Sequence, residues 1–240
     1  MNRLFFFIAI FALMLFSGCL TIEEFYTFKK NGSGSMQYKV DMTQMMQAMG
    51  PLMSMGGGGE NGQAPSMDDN TKPYKEMVEK LKGVQGISGV KYKEEINMPK
   101  EGKEVPADDI KYIVTIDFKF KDISSLNKAL NSMITKAEDP QHTFFTKEGN
   151  TITRTHQSSN DPAVTDLFGD AEGMEEQGMT MFESMKYKIH FTFPKEVATS
   201  YVGESGSEVK VEGKKVDVEA NFKDILEKGP SAMTTTVVLK

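Results

Sequence analysis

Residues 111–121 alternate in chemistry. Tyr112, Val114, Ile116, Phe118 and Phe120 are apolar, while Lys111, Thr115, Asp117, Lys119 and Lys121 are polar. A period of two puts all five apolar side chains on one side of an extended chain, so this stretch buries itself as one face of a sheet. The pattern recurs at Met36, Tyr38, Val40 and Met42 against Gln37, Lys39 and Asp41. It recurs again at Tyr187, Ile189, Phe191 and Phe193 against Lys186, Lys188, His190 and Thr192. Strands with one wet face belong to a mostly antiparallel sheet rather than to a parallel sheet buried on both sides.

Shorter signals fill in the rest. Ile22 to Lys30 reads as a strand, and Lys30-Asn31-Gly32-Ser33-Gly34 turns the chain into Ser35 to Asp41. Met42, Met45, Met46 and Met49 follow at helical spacing behind Asp41 or Thr43 as a cap. A Gly-rich stretch at about 54–72 reads as a flexible insert, and Pro73 opens a second helix that runs to Lys82. Val90 to Ile96 is a strand. Asp122 or Ser124 caps a helix that carries Ile123, Leu126, Leu130, Met133 and Ile134. Hairpins are expected at Thr143–Lys147 with Asn150–His156, and at Glu208–Glu212 with Lys215–Ala220 around Gly213. Residues 158–178 read as loop, Asp224 caps a short helix, and Ala232 to Leu239 is a last strand. The expected fold is a single α+β domain over 19–240, with helices laid on one face of a mostly antiparallel sheet. An internal duplication of β-hairpin–helix units is also expected. Lys91-Tyr92-Lys93 returns as Lys186-Tyr187-Lys188, and Phe120-Lys121-Asp122-Ile123 returns as Phe222-Lys223-Asp224-Ile225.

The start of the chain fixes a compartment. Arg3 is followed by an unbroken apolar run from Leu4 to Phe16, then by Ser17, Gly18 and Cys19, the only cysteine. The run is short for a membrane span and ends in small residues, which is the pattern of an export signal over 1–18. The ending fits a lipobox, so Cys19 is the expected site of lipidation, with palmitate-like acyl chains. Two or more chains hold a protein firmly in a membrane, making the bilayer its first partner. An acylated Cys19 leaves no thiol for a disulfide or a metal site. Leu20 follows the cysteine with no acidic residue beside it, which favours the outer membrane, facing the periplasm, in an organism that has two.

Formal charge is −6, and loss of Arg3 with the signal makes the remainder more acidic still. Nucleic acid is therefore not an expected partner. Among His142, His156 and His190, the first two flank one hairpin with no fixed third ligand, so no metal site is expected; His190 falls on the polar face of its strand. No Gly-x-Ser-x-Gly, His-Glu-x-x-His or P-loop occurs, and no cofactor or enzymatic activity is expected. The chain holds 18 methionines. Met42, Met45, Met46, Met49 and Met53 form the candidate ligand-binding wall, a soft apolar surface for a lipid or other amphiphile near the membrane. Two other readings of the chain are a structural or assembly component bound to another envelope protein, and Cu(I) binding by these thioethers.

Residues Lys186 to Val197, ending Phe193-Pro194-Lys195-Glu196-Val197, precede a glycine-bearing loop, the Gly213 hairpin and a last strand. With the hairpin directly after Cys19, this order resembles the LppM-like domain of bacterial lipoproteins over most of 19–240. The resemblance implies an envelope-facing α+β domain, with lipid or glycolipid binding proposed for some members, and supplies no catalytic residues.

Overall fold

The computed structural model describes residues 20–47, 67–98, 105–134, 141–156, 185–203, 207–228 and 230–240. The signal, Cys19, Met49, Met53, residues 158–178 and most of the Gly-rich insert lie outside these.

The first hairpin pairs β1 (Thr21–Phe28) with β2 (Gly34–Asp41). Gly34 is required at its base, because a Cβ there would stand 2.1 Å from the Thr27 carbonyl oxygen and 2.4 Å from the Phe120 ring. Residues 43–47 then turn helical, with the Asp41 carboxyl group accepting from the Thr43 N–H at 3.1 Å. Helix α1 (Met67–Lys82) leads to β3 (Ile87–Asn97) and β4 (Lys111–Phe120), and α2 (Ile123–Ile134) follows. Asp122 caps α2 by accepting from the Ser125 N–H and hydroxyl, both at 2.7 Å.

A small hairpin, β5 (Phe145–Glu148) and β6 (Thr151–Arg154), comes next. The remainder is β7 (Lys186–Thr192), β8 (Val197–Val202), β9 (Glu208–Glu212), β10 (Lys215–Asn221), α3 (Phe222–Lys228) and β11 (Thr235–Leu239).

These strands make two sheets. The larger has seven strands in the order β3-β4-β2-β1-β7-β10-β9, and the smaller has four, β5-β6-β11-β8. All neighbours are antiparallel except β1 and β7, which run parallel because a long excursion of the chain separates them. The fold is α+β, as the alternation predicts.

One face of the large sheet forms the core. Ile22, Tyr26, Met36, Tyr38, Val114, Ile116, Phe118, Ile189 and Phe191 lie there, each at most 3 % exposed. Helices α1 and α2 cover the β3–β4 half of this face. The small sheet covers the centre: Phe145 meets Tyr26 edge-on at 4.9 Å and Phe28 at 5.8 Å. Phe28 in turn stacks on Phe193 at 5.5 Å. Such aromatic contacts add about 0.5–1.5 kcal/mol each beyond the area they bury. The opposite face carries the polar half of each alternation and is only partly buried.

Several boundaries differ from the sequence reading. Helix α1 starts at Met67, so 67–72 belong to it and Pro73 lies inside it rather than at its start. Tyr74, Met77, Val78 and Leu81 are buried on this helix, and that packing outweighs the one backbone bond Pro73 forgoes. Asp224 sits within the first turn of α3, where it pairs with Lys228 at 2.9 Å instead of capping the helix. Residues 197–202 form a strand that the sequence reading takes as loop. The two Phe-Lys-Asp-Ile segments do both lie at strand-to-helix junctions. Their strands pair differently, however: Tyr92 is opposite Ile116, four residues before Phe120, whereas Tyr187 is opposite Ala220, two before Phe222.

Candidate functional site

Three places among the described residues gather polar or pocket-forming side chains. The first is a polar cluster sealed between the two sheets. Glu24 shares the apolar face of β1 with Ile22 and Tyr26 and is fully buried. Its carboxyl group meets the Arg154 guanidinium from β6 at 2.5 Å, and accepts from the hydroxyls of Tyr26 at 2.8 Å and Tyr187 at 2.6 Å. Arg154 also reaches His156 Nδ1 at 3.2 Å. Burial, reinforced by the Arg154 charge, keeps His156 well below the usual imidazole range, so the ring is neutral. Burial pushes the Tyr26 hydroxyl up. Glu24, Tyr26, Arg154, His156 and Tyr187 are all buried, and the cluster ties the two sheets together.

The second place is the centre of the open sheet face. His190 lies between Glu23 and Asp217, with Nδ1 2.6 Å from Asp217 and Nε2 3.7 Å from Glu23. The Phe25 ring stacks on the imidazole at 4.4 Å. His190 is thus clamped on the polar face rather than freely solvated. Glu23 first and Asp217 next raise its pKa, while the imidazole beside it, together with Lys39, helps hold Glu23 at about 2. His142 is separately engaged with Thr155 at 3.0 Å. Among the described residues, no group of three or more His, Cys, Asp or Glu side chains is arranged to hold a metal ion.

The third place is a groove of about 310 Å³ at one end of the molecule, between the edges of the two sheets. Its apolar lining is Phe28, Ile123, Ile152, Pro194 and Leu239. Four lysines stand around it: Lys29 and Lys30 from the β1–β2 turn, Lys147 from the β5–β6 hairpin, and Lys195 after β7. Glycines shape both turns, with Gly32 at φ 83° and Gly149 at φ 60°, conformations that suit glycine. A pocket of this size, apolar with a few polar groups at its edge, is the usual form of a small-ligand site.

The described part of the methionine wall lies elsewhere. Met42, Met45 and Met46 are 2 %, 5 % and 4 % exposed and belong to the core. They follow β2, so they sit at the Thr21 end of the sheet, because Thr21 is paired with Asp41. The groove lies at the Phe28 end, a strand of eight residues or roughly 25 Å away. Met42, Met45 and Met46 and the groove are therefore at opposite ends of β1. The groove draws on five separated stretches of chain, and no local spacing in the sequence announces it.

No protein-family model matches the chain, and no curated protein matches it. Among solved structures the chain is similar to the folded domain of the Mycobacterium tuberculosis LppM protein, with a TM-score of 0.40. That likeness spans 93 % of this chain and 91 % of the other at 10 % sequence identity.

Proposed function

We propose that this protein is a lipid-anchored, non-enzymatic component of a bacterial envelope that binds an amphiphile in the Phe28–Leu239 groove. The observation that carries the reading is the groove itself: an apolar floor open to solvent at the junction of two sheets. An alkyl chain laid on Phe28, Ile152 and Leu239 gains about 0.8 kcal/mol for each methylene removed from water. The export signal and Cys19 support the anchor, and the lack of a catalytic motif supports a binding role. Among the described residues no helix is long and apolar enough to cross a membrane, so the acyl chains would hold the protein there. Leu20 after the cysteine supports outer-membrane placement in an organism that has two membranes.

Ile123 tests the site. It lines the groove and is only partly buried, so Ile123→Glu puts a negative charge on the floor at little cost to folding. Binding of a brominated short-chain amphiphile should weaken by about tenfold or more, since each 1.4 kcal/mol lost is a factor of ten. Unchanged binding in a folded variant would move the ligand away from this groove.

A further inference from the structure

We infer that the amphiphile taken by the groove carries an anionic head, a phosphate, sulfate or carboxylate, held by Lys29, Lys30, Lys147 and Lys195. This inference rests on the amphiphile reading above and adds the chemistry of the head group. All four lysines are exposed, and all line one opening. Some lysines elsewhere are matched: Lys39 meets Glu23 at 2.8 Å, Lys93 meets Glu95 at 2.5 Å, Lys186 meets Glu219 at 2.6 Å and Lys210 meets Glu212 at 2.7 Å. The four groove lysines are not. Among the described residues none of them has an ion-pair partner, and Lys195 makes only a 3.5 Å contact to the Asn150 side-chain oxygen.

Nearby acids do not neutralise them. Glu196 is 2.8 Å from Lys240, and Asp122 is used by Ser125 at the start of α2. Glu148 is exposed on the β5–β6 hairpin beside Lys147. In a chain of net charge −6, four unmatched cations around one apolar opening form a local positive field against the overall sign. Such a field attracts an anion, and a charge-assisted hydrogen bond to it is roughly twice as strong as a neutral one. The lysines come from turns on both sheets, so a bound head group would bridge the two jaws of the groove while its tail lies on the apolar floor.

The test is calorimetric titration of the full lipid-anchored chain in phosphatidylcholine nanodiscs, with empty nanodiscs as the blank. The probes are hexyl phosphate, hexyl glucoside and inorganic phosphate. Tightest binding of hexyl phosphate supports the inference. It should weaken at least tenfold in K29Q/K30Q/K147Q/K195Q, and also in about 1 M salt, where charges are screened beyond roughly 3 Å. The control K93Q/K210Q, on the open sheet face, should bind like the parent. Equal binding of hexyl glucoside and hexyl phosphate would overturn the anionic head and leave the amphiphile reading standing. Inorganic phosphate binding as tightly as hexyl phosphate would keep the anion site and remove the amphiphile. If no probe binds, both readings fall.

Discussion

Glu24 occupies the buried side of a strand whose other inward residues are apolar, and it does so with every carboxyl oxygen engaged. Removing one member of a buried pair strands the other, at a cost of about 3–5 kcal/mol, while removing both costs less. Arg154→Met should therefore lower urea-unfolding stability by about that amount, and Glu24→Gln/Arg154→Met should recover part of it. Equal losses in the single and double variants would show that the two do not act as a pair. The phase of β1 does point to Glu24, which falls in step with Ile22, Tyr26 and Phe28. Arg154 is 130 residues away in sequence, and only the docking of the second sheet reveals it as the partner.

His190 and Glu23 make a second residue-scale prediction. Glu23 is held at about 2 against an ordinary 4.5, so its contribution is present above about pH 4.5 and is lost as pH falls toward 2. His190 is raised above its ordinary 6.5, so its contribution is present below that value and is lost as pH rises through the folded pKa. The pair stabilises most between these limits, at roughly pH 4.5–6.5. Buried His156 acts in the opposite sense, since its depressed pKa lowers stability in acid. The difference between parent and His190→Gln cancels His156. That difference should peak in the pH 4.5–6.5 window and shrink above it; a flat difference across pH would contradict the assignment.

At the scale of elements, strands with strict alternation were legible, and elements decided by tertiary contact were not. β4, β2 and β7 follow directly from the two-residue period. β8 does not, because Ala198, Thr199 and Ser200 interrupt its apolar pattern and its place is set by pairing with β11. Helix α2 was legible from its apolar stripe, yet its polar side performs an unannounced task. Asn127 exchanges two hydrogen bonds with the Phe145 backbone at 2.8 and 2.9 Å, and Asn131 does the same with His142 at 2.7 Å. These side-chain amides cover backbone groups along the outer edge of the small sheet, which would otherwise invite another strand. The methionine segment shows the same limit: helical spacing was visible, but not which side faces the core. With Met45 at 5 % exposure, Met45→Ala should cost about 2–5 kcal/mol in denaturant unfolding and leave affinity at the groove unchanged in the folded fraction. Reduced affinity without loss of stability would return the ligand to the methionine wall.

At the scale of the whole molecule, the α+β class was readable because one-sided strands require a cover on one face. The division into two sheets was not, since β5, β6, β8 and β11 are short and their pairing joins residues far apart in sequence. The groove belongs to this level: Phe28, Ile123, Ile152, Pro194 and Leu239 meet only because the small sheet docks beside the end of the large one. Leu20 is fully buried and its carbonyl accepts from the Lys186 N–H at 2.9 Å, so packing begins one residue after Cys19. Leu20 and the groove thus stand at opposite ends of the central strand.

The most direct test of the account is native mass spectrometry of the chain purified from its own envelope. The account predicts a population heavier by one non-covalent ligand that fragments to an anionic lipid and disappears in Ile123→Glu, whereas acyl chains on Cys19 survive denaturation. A mass explained by the acylated chain alone, unchanged after incubation with envelope lipids, would contradict it and leave assembly with another envelope protein as the better reading.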